Sequence, residues 1–128
     1  MSDKIKIPQR DERLAVCRLM VSMAKTVHAS IYGANANFGA NIDGVFIACA
    51  VLIGHAEQRP MTTNKLALFL GMKRQTVQRK LDVLVEMDVL ARKGRLYYVS
   101  RNRLQNDGHV LDALHQTVRR STQPERPK

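Results

Sequence analysis

Residues 61–100, MTTNKLALFLGMKRQTVQRKLDVLVEMDVLARKGRLYYVS, constrain the fold more than any other part of the chain. Spacing, charge and turn chemistry agree there on a helix, a tight turn, a second helix and a short hairpin. The first helix is expected over about Thr63 to Leu70, with Thr62 or Thr63 placed to accept from an orphan backbone N–H and Pro60 just outside. Leu66, Ala67 and Leu70 form its inward stripe, and Gly71 stands where a helix end needs a residue tolerant of positive φ. After the turn Gly71-Met72-Lys73, the spacing predicts a helix from about Arg74 to Met87. At 100° per residue, Val77, Leu81 and Leu84 share one face. Gln75, Arg79, Asp82 and Glu86 lie opposite, with Thr76 and Gln78 on the flanks. Val89-Leu90-Ala91 and Leu96 to Val99 read as two strands, with Arg92-Lys93-Gly94-Arg95 as a basic tip that Gly94 turns.

The pattern LA-x-x-LG-x-x-R-x-TV-x-R-x-x-x-x-L, running from Leu66 to Leu84, resembles the winged helix-turn-helix of bacterial transcription regulators. With long helices on both sides, the layout most resembles the MarR group. Lys73 stands where such a second helix usually begins on a small hydroxyl, and the wing is shorter than in that group. The resemblance implies a cytoplasmic, nucleoid-associated homodimer that binds double-stranded DNA sequence-specifically at a near-palindromic site and regulates transcription. It also implies a small-molecule effector of no assigned identity. Met20, Met23, Tyr32, Phe38 and Phe46 are the candidate lining, though such a stripe at helical spacing is more often plain core.

Charge supports a polyanionic partner independently of the resemblance. The formal net charge is +10, and residues 61–104 hold ten Lys or Arg against Asp82, Glu86 and Asp88, a net +7. Residues 31–60 carry a net −1. The excess therefore coincides with the proposed reading unit. No apolar run approaches 18 residues, so no membrane span is expected. The start, MSDKIKIPQRDE, lacks the apolar core of a signal peptide. Cys17 and Cys49 stand apart in apolar helical stripes and read as buried, reduced thiols. No metal or cofactor is expected, and no catalytic constellation is visible. The four histidines have no ligand spacing, and no glycine run fits a phosphate loop.

The 128 residues suit a single domain, mainly α with a small β-hairpin. Its expected segments are N-terminal helices over 11–57, the winged helix-turn-helix over 61–100, a last helix over 107–120 and a disordered tail over 121–128. The first long helix, about Asp11 to Tyr32, repeats Leu14, Cys17, Met20/Val21, Ala24, Val27 and Ile31. It would be about 30 Å long at 1.5 Å per residue, more than one small domain covers. Residues 32–41, YGANANFGAN, read as a linker whose Phe38 plugs into the core. The helix after it, from Asn41 or Ile42 to Glu57, is almost wholly apolar and reads as central and buried. The last helix is expected beside the first in a dimer interface made by Leu14, Cys17, Val21, Leu111, Leu114 and Val118.

Base edges fall to Gln75, Thr76, Gln78 and Arg79, because Arg can take guanine, and Gln adenine, bidentately. Phosphate contacts fall to Thr63, Asn64, Lys65, Lys73, Arg74 and Lys80, and to Arg92, Lys93 and Arg95 on the wing. Arg101 and Arg103 would extend the basic surface. Two other readings use the same fold: a protein-docking module, or a replication, plasmid or phage control protein acting on DNA.

Overall fold

The structure is a computed structural model that describes residues 5–122. It is mainly helical with one small antiparallel sheet. Eight elements follow in order: α1 Arg10–Tyr32, α2 Phe38–Ala56, α3 Thr63–Leu70, α4 Arg74–Glu86, β1 Leu90–Lys93, β2 Leu96–Val99, α5 Arg101–Asn106 and α6 Gly108–Thr122.

The core gathers on one side of α2. Val45, Ile47, Ala48, Ala50 and Val51 meet Leu66 and Ala67 of α3, Val77, Leu81 and Leu84 of α4, and Leu90, Tyr97 and Val99 of the hairpin. The two glycines of α2 that face this core are required by close approach. A Cβ on Gly54 would lie 2.8 Å from the Arg59 carbonyl oxygen, and one on Gly44 would overlap the Tyr32 hydroxyl. The opposite side of α2 is uncovered: Phe46, Leu52 and Ile53 are 42–49 % exposed, and Cys49 is exposed with them. The expectation of a wholly buried helix fails because α1, α3, α4 and the hairpin all pack on one side. Cys17 is likewise exposed, so neither thiol has the burial expected of it.

Two helix ends fix the path of residues 61–100. Thr62 caps α3, its hydroxyl accepting from the Lys65 N–H at 3.2 Å. At the other end Gly71 takes φ 68°, while the Met72 N–H donates to the Ala67 carbonyl and the Gly71 N–H to that of Leu68. The end of α4 repeats this pattern with Asp88 at φ 61°, Val89 N–H donating to Leu84 and Asp88 N–H to Val85. Aspartate is one of the few residues that accept this left-handed conformation. No side chain caps α4, whose flanking residue is Lys73.

The hairpin is longer on its first strand than the sequence suggests, since Arg92 and Lys93 pair with Tyr97 and Leu96. That leaves Gly94-Arg95 as a two-residue loop, with Gly94 at φ 61°. Met61 adds a single bridge on the far side of β2, accepting from the Tyr97 N–H at 3.2 Å. The base of the hairpin is closed by Ser100, which donates to the Asp88 carbonyl and caps α5 through the Arg103 N–H.

The flanks depart from expectation in three places. First, α2 begins at Phe38, because the Asn37 side chain accepts from the Ala40 N–H within the segment read as linker. Phe38 is 38 % exposed and lies edge-on to His28 rather than plugged into the core. Second, residues 101–106 form α5, and α6 follows at Gly108. Third, α6 packs along α1 of the same chain. Leu14 and Leu114 are half-buried, while Cys17, Val21, Leu111 and Val118 are exposed. The expected tail over 121–128 lies outside the described residues beyond Thr122. By length and mean hydropathy α1 and α2 could each cross a membrane, so the absence of a continuous apolar run does not exclude one.

Candidate nucleic-acid interface

Part of the expected site, Thr63, Asn64, Arg74, Gln78, Arg92 and Arg95, comes together where the start of α3, the start of α4 and the hairpin meet. Between them lies a cleft of about 410 Å³ lined by Thr62, Thr63, Asn64, Arg74, Gln78, Arg92, Arg95 and Tyr97. Three guanidinium groups and no carboxylate line it. Asn64 holds the first of them, its side-chain oxygen accepting from Arg74 Nε. Arg92 Nε donates to the Gly94 carbonyl at 2.7 Å, and its guanidinium lies 5.8 Å from the centre of the Tyr97 ring. Lys93 is similarly placed over Tyr98, at 5.5 Å. Arg92 and Lys93 thus each rest on an aromatic side chain while the charge stays in water.

Gln75 and Arg79 are exposed on α4, and Thr76 is half-buried. Lys65, Lys73, Arg74, Arg92, Lys93 and Arg95 are exposed as well. No ion pair of the described residues involves any of them. Cations without an ion-pair partner around this cleft raise the local positive potential.

Four expected contributors are engaged within the protein, Lys80 and Arg103 away from the cleft and Thr63 and Gln78 at its wall. Lys80 reaches the start of α2, donating to the Ala40 carbonyl at 2.8 Å and pairing with Asp43 at 3.4 Å, its side chain only 19 % exposed. Its place on the helix explains this. It lies three residues from Val77 and Leu84 follows four later, so its stem runs along the edge of the buried face. Thr63 is buried, and its hydroxyl donates to Gln78 Oε1 at 2.8 Å. Gln78 is half-buried and engaged at both ends of its amide, donating to Asp82 at 2.9 Å and to the Tyr97 hydroxyl at 3.2 Å. Arg103 turns away from the cationic face. It donates to the Ser30 carbonyl and hydroxyl at 2.8 and 2.7 Å and faces Asp107 at 3.7 Å, locking α5 to the end of α1.

Tyr97 and His55 were not singled out from sequence. Tyr97 is 1 % exposed and carries both the Gln78 contact and the Arg92 ring contact. His55 Nδ1 accepts from the Val99 N–H at 3.1 Å and its ring meets Tyr98 edge-on, fastening β2 to α2. Nothing local signals either residue: the Gln78 and Val99 contacts that define them join segments 19 and 44 residues apart.

The five residues suggested to line an effector chamber include one ring cluster and two exposed side chains. Tyr32 stacks on His28, whose other side meets Phe38. Met20 and Phe46 are 63 % and 49 % exposed. The Tyr32 hydroxyl and His28 Nε2 are buried without a hydrogen-bond partner. Burial pushes the Tyr32 phenol above its ordinary value, and Asp43 adds to the shift.

In comparisons with known proteins, no family model matches this chain, and no curated protein or solved structure is significantly similar to it.

Proposed function

We propose that residues 61–100 act as a winged helix-turn-helix that binds double-stranded DNA, and that the chain regulates transcription as a homodimer on a near-palindromic site. The observation that carries this reading is the open cleft at which Arg74, Arg92 and Arg95 converge with no carboxylate in the lining, while Lys73 and Arg79 of the α4 segment and Lys93 of the hairpin are exposed on the same elements. In this arrangement the N-terminal half of α4 enters the major groove, with Gln75, Thr76 and Arg79 toward base edges. Asp82 and Glu86, further along α4, stay clear of phosphate. The hairpin lies on the neighbouring backbone or minor groove. Half-sites would stand about one helical turn, roughly 34–36 Å, apart.

A second reading has its own observation. Leu68 and Phe69 on the outer side of α3 are 84 % and 58 % exposed, which favours docking of a partner protein on that helix. Selection of bound duplexes from a random pool, washed at low and high salt, separates the two. A two-fold symmetric motif supports the regulator. Retention without a motif that vanishes with salt leaves a non-specific binder. No retention even at low salt refutes DNA binding and favours the docking module.

A further inference from the structure

Gln78 lies on the flank of α4 that faces the hairpin, and every polar atom of its side chain has a partner inside the protein. Asp82, an acceptor only, fixes which end of the amide is nitrogen. That nitrogen also donates to the Tyr97 hydroxyl at 3.2 Å, while the amide oxygen accepts from Thr63 at 2.8 Å. Tyr97 sits in β2 almost without exposure, and the Arg92 guanidinium stands over its ring. Arg92 in turn holds the Gly94 carbonyl at the tip. A continuous line of contacts therefore runs from α3 through α4 to the tip of the hairpin.

We propose that Gln78 is a positioning residue. It fixes the hairpin against α4 and acts on DNA through Arg92 and the tip, without touching a base. This inference rests on the DNA-binding reading above. Bidentate recognition of adenine would need both the oxygen and the nitrogen of the amide. Turning outward to supply them would strip Thr63, Asp82 and Tyr97 of their shared partner and leave the Tyr97 hydroxyl buried and unpaired. A buried hydroxyl in that condition is costly, which favours the inward position. The alternative assignment, Gln78 as a base reader, therefore requires the network to break on binding.

The test compares Gln78→Ala, Tyr97→Phe, Arg92→Ala and the double variant Gln78→Ala/Arg92→Ala. Affinity is measured for a duplex selected by the wild-type protein and for duplexes changed one base pair at a time. Gln78→Ala and Tyr97→Phe are each expected to weaken binding about 2- to 10-fold, the range of one hydrogen bond, equally on every duplex. In the Arg92→Ala background Gln78→Ala should add nothing. A loss confined to one base pair, persisting in that background, would overturn the proposal and return Gln78 to base reading. Tyr97→Phe keeps the ring and carries the comparison should Gln78→Ala fold poorly. Amide hydrogen exchange of residues 90–99 in the free protein gives a readout that needs no DNA. Faster exchange in both variants is expected, and unchanged protection would refute the latch. If the wild-type protein binds no duplex, the DNA-binding reading fails, while the exchange result still decides whether Gln78 positions the hairpin.

Discussion

Counting cations would credit Lys80 and Lys93 equally, but the structure separates them, and salt dependence measures the difference. Lys93 projects from the hairpin over Tyr98 with no carboxylate beside it. Lys80 is paired with Asp43 and bonded to the Ala40 carbonyl. Each phosphate neutralised by a cation adds about 0.9 to the slope of log affinity against log salt. If Lys73, Arg74, Arg92, Lys93 and Arg95 all meet phosphate, the slope per subunit is about −4.5. Lys93→Ala should reduce its size by about 0.9, so that a fourfold rise in salt costs roughly 3.5-fold less affinity than in the wild-type protein. Lys80→Ala should leave the slope unchanged. Its expected effect is on stability, below about 1 kcal/mol for a pair that remains partly exposed. Fluorescence titration of a labelled duplex at four salt concentrations gives both slopes, with thermal melts as the folding control. A Lys80→Ala slope reduced as much as that of Lys93→Ala would refute the assignment of Lys80 to the scaffold. Equal slopes for all three proteins would remove the hairpin from the interface.

Three further outcomes follow from particular contacts. Arg79→Ala should cost about 1–3 kcal/mol on the selected duplex and relax preference at one base pair, as read by competition with altered duplexes. Gly54→Ala should destabilise the fold by about 1–3 kcal/mol in a denaturant titration, because the clash with the Arg59 carbonyl is with backbone and outweighs the gain in helix propensity. Tyr32→Phe should raise stability by about 1 kcal/mol, since it removes a buried hydroxyl that has no partner. The same substitution bears on alkaline stability. The folded-state pKa of Tyr32 is raised, so the folded protein keeps a proton that the unfolded chain releases near pH 10. Stability from this group is therefore fully present below the unfolded value and falls as pH rises above it. Tyr32→Phe should flatten that alkaline loss.

What could be read in advance depended on how local its cause was. Gly71 and the spacing of Leu66, Val77, Leu81 and Leu84 are contained within about twenty residues, and the two helices lie where those residues put them. Gly94 fixes a two-residue turn with no help from the rest of the chain. By contrast, RNRLQN carries no apolar stripe, and α5 exists because Ser100 caps it and Arg103 finds Ser30 on α1, distant in sequence. Asn37 was hidden in a segment whose glycines and asparagines read as linker, although its capping spacing was present. The positions of Gln78 and Lys80 depended on which neighbouring element lay beside each flank of α4. Helical angle alone placed both near the boundary between buried and open and could not say which way they would turn.

The exposed stripe of α1 bears on the proposed homodimer more directly than its length does. At 100° per residue, Val16, Cys17, Met20 and Val21 fall on the same side of the helix as His28 and Ile31, while Ala15, Arg18, Leu19, Ser22 and Lys25 lie away from it. His28 and Ile31 are buried by α2 and its neighbours, whereas Val16, Met20 and Val21 are 56–63 % exposed. One face is thus covered by the chain itself near its C-terminal end and left bare two to three turns earlier. A bare apolar segment on one face suits a second helix, and a two-fold axis through it would bring two such segments together. Val21→Asp tests this without disturbing the core, since Val21 is already in solvent. Sedimentation at tens of micromolar should give a dimer for the wild-type protein and a monomer for the variant. The variant should lose the paired half-site footprint yet still bind random duplexes at low salt through its intact hairpin and α4. A wild-type monomer, or a variant that still dimerises, would place the two-fold axis elsewhere or remove it.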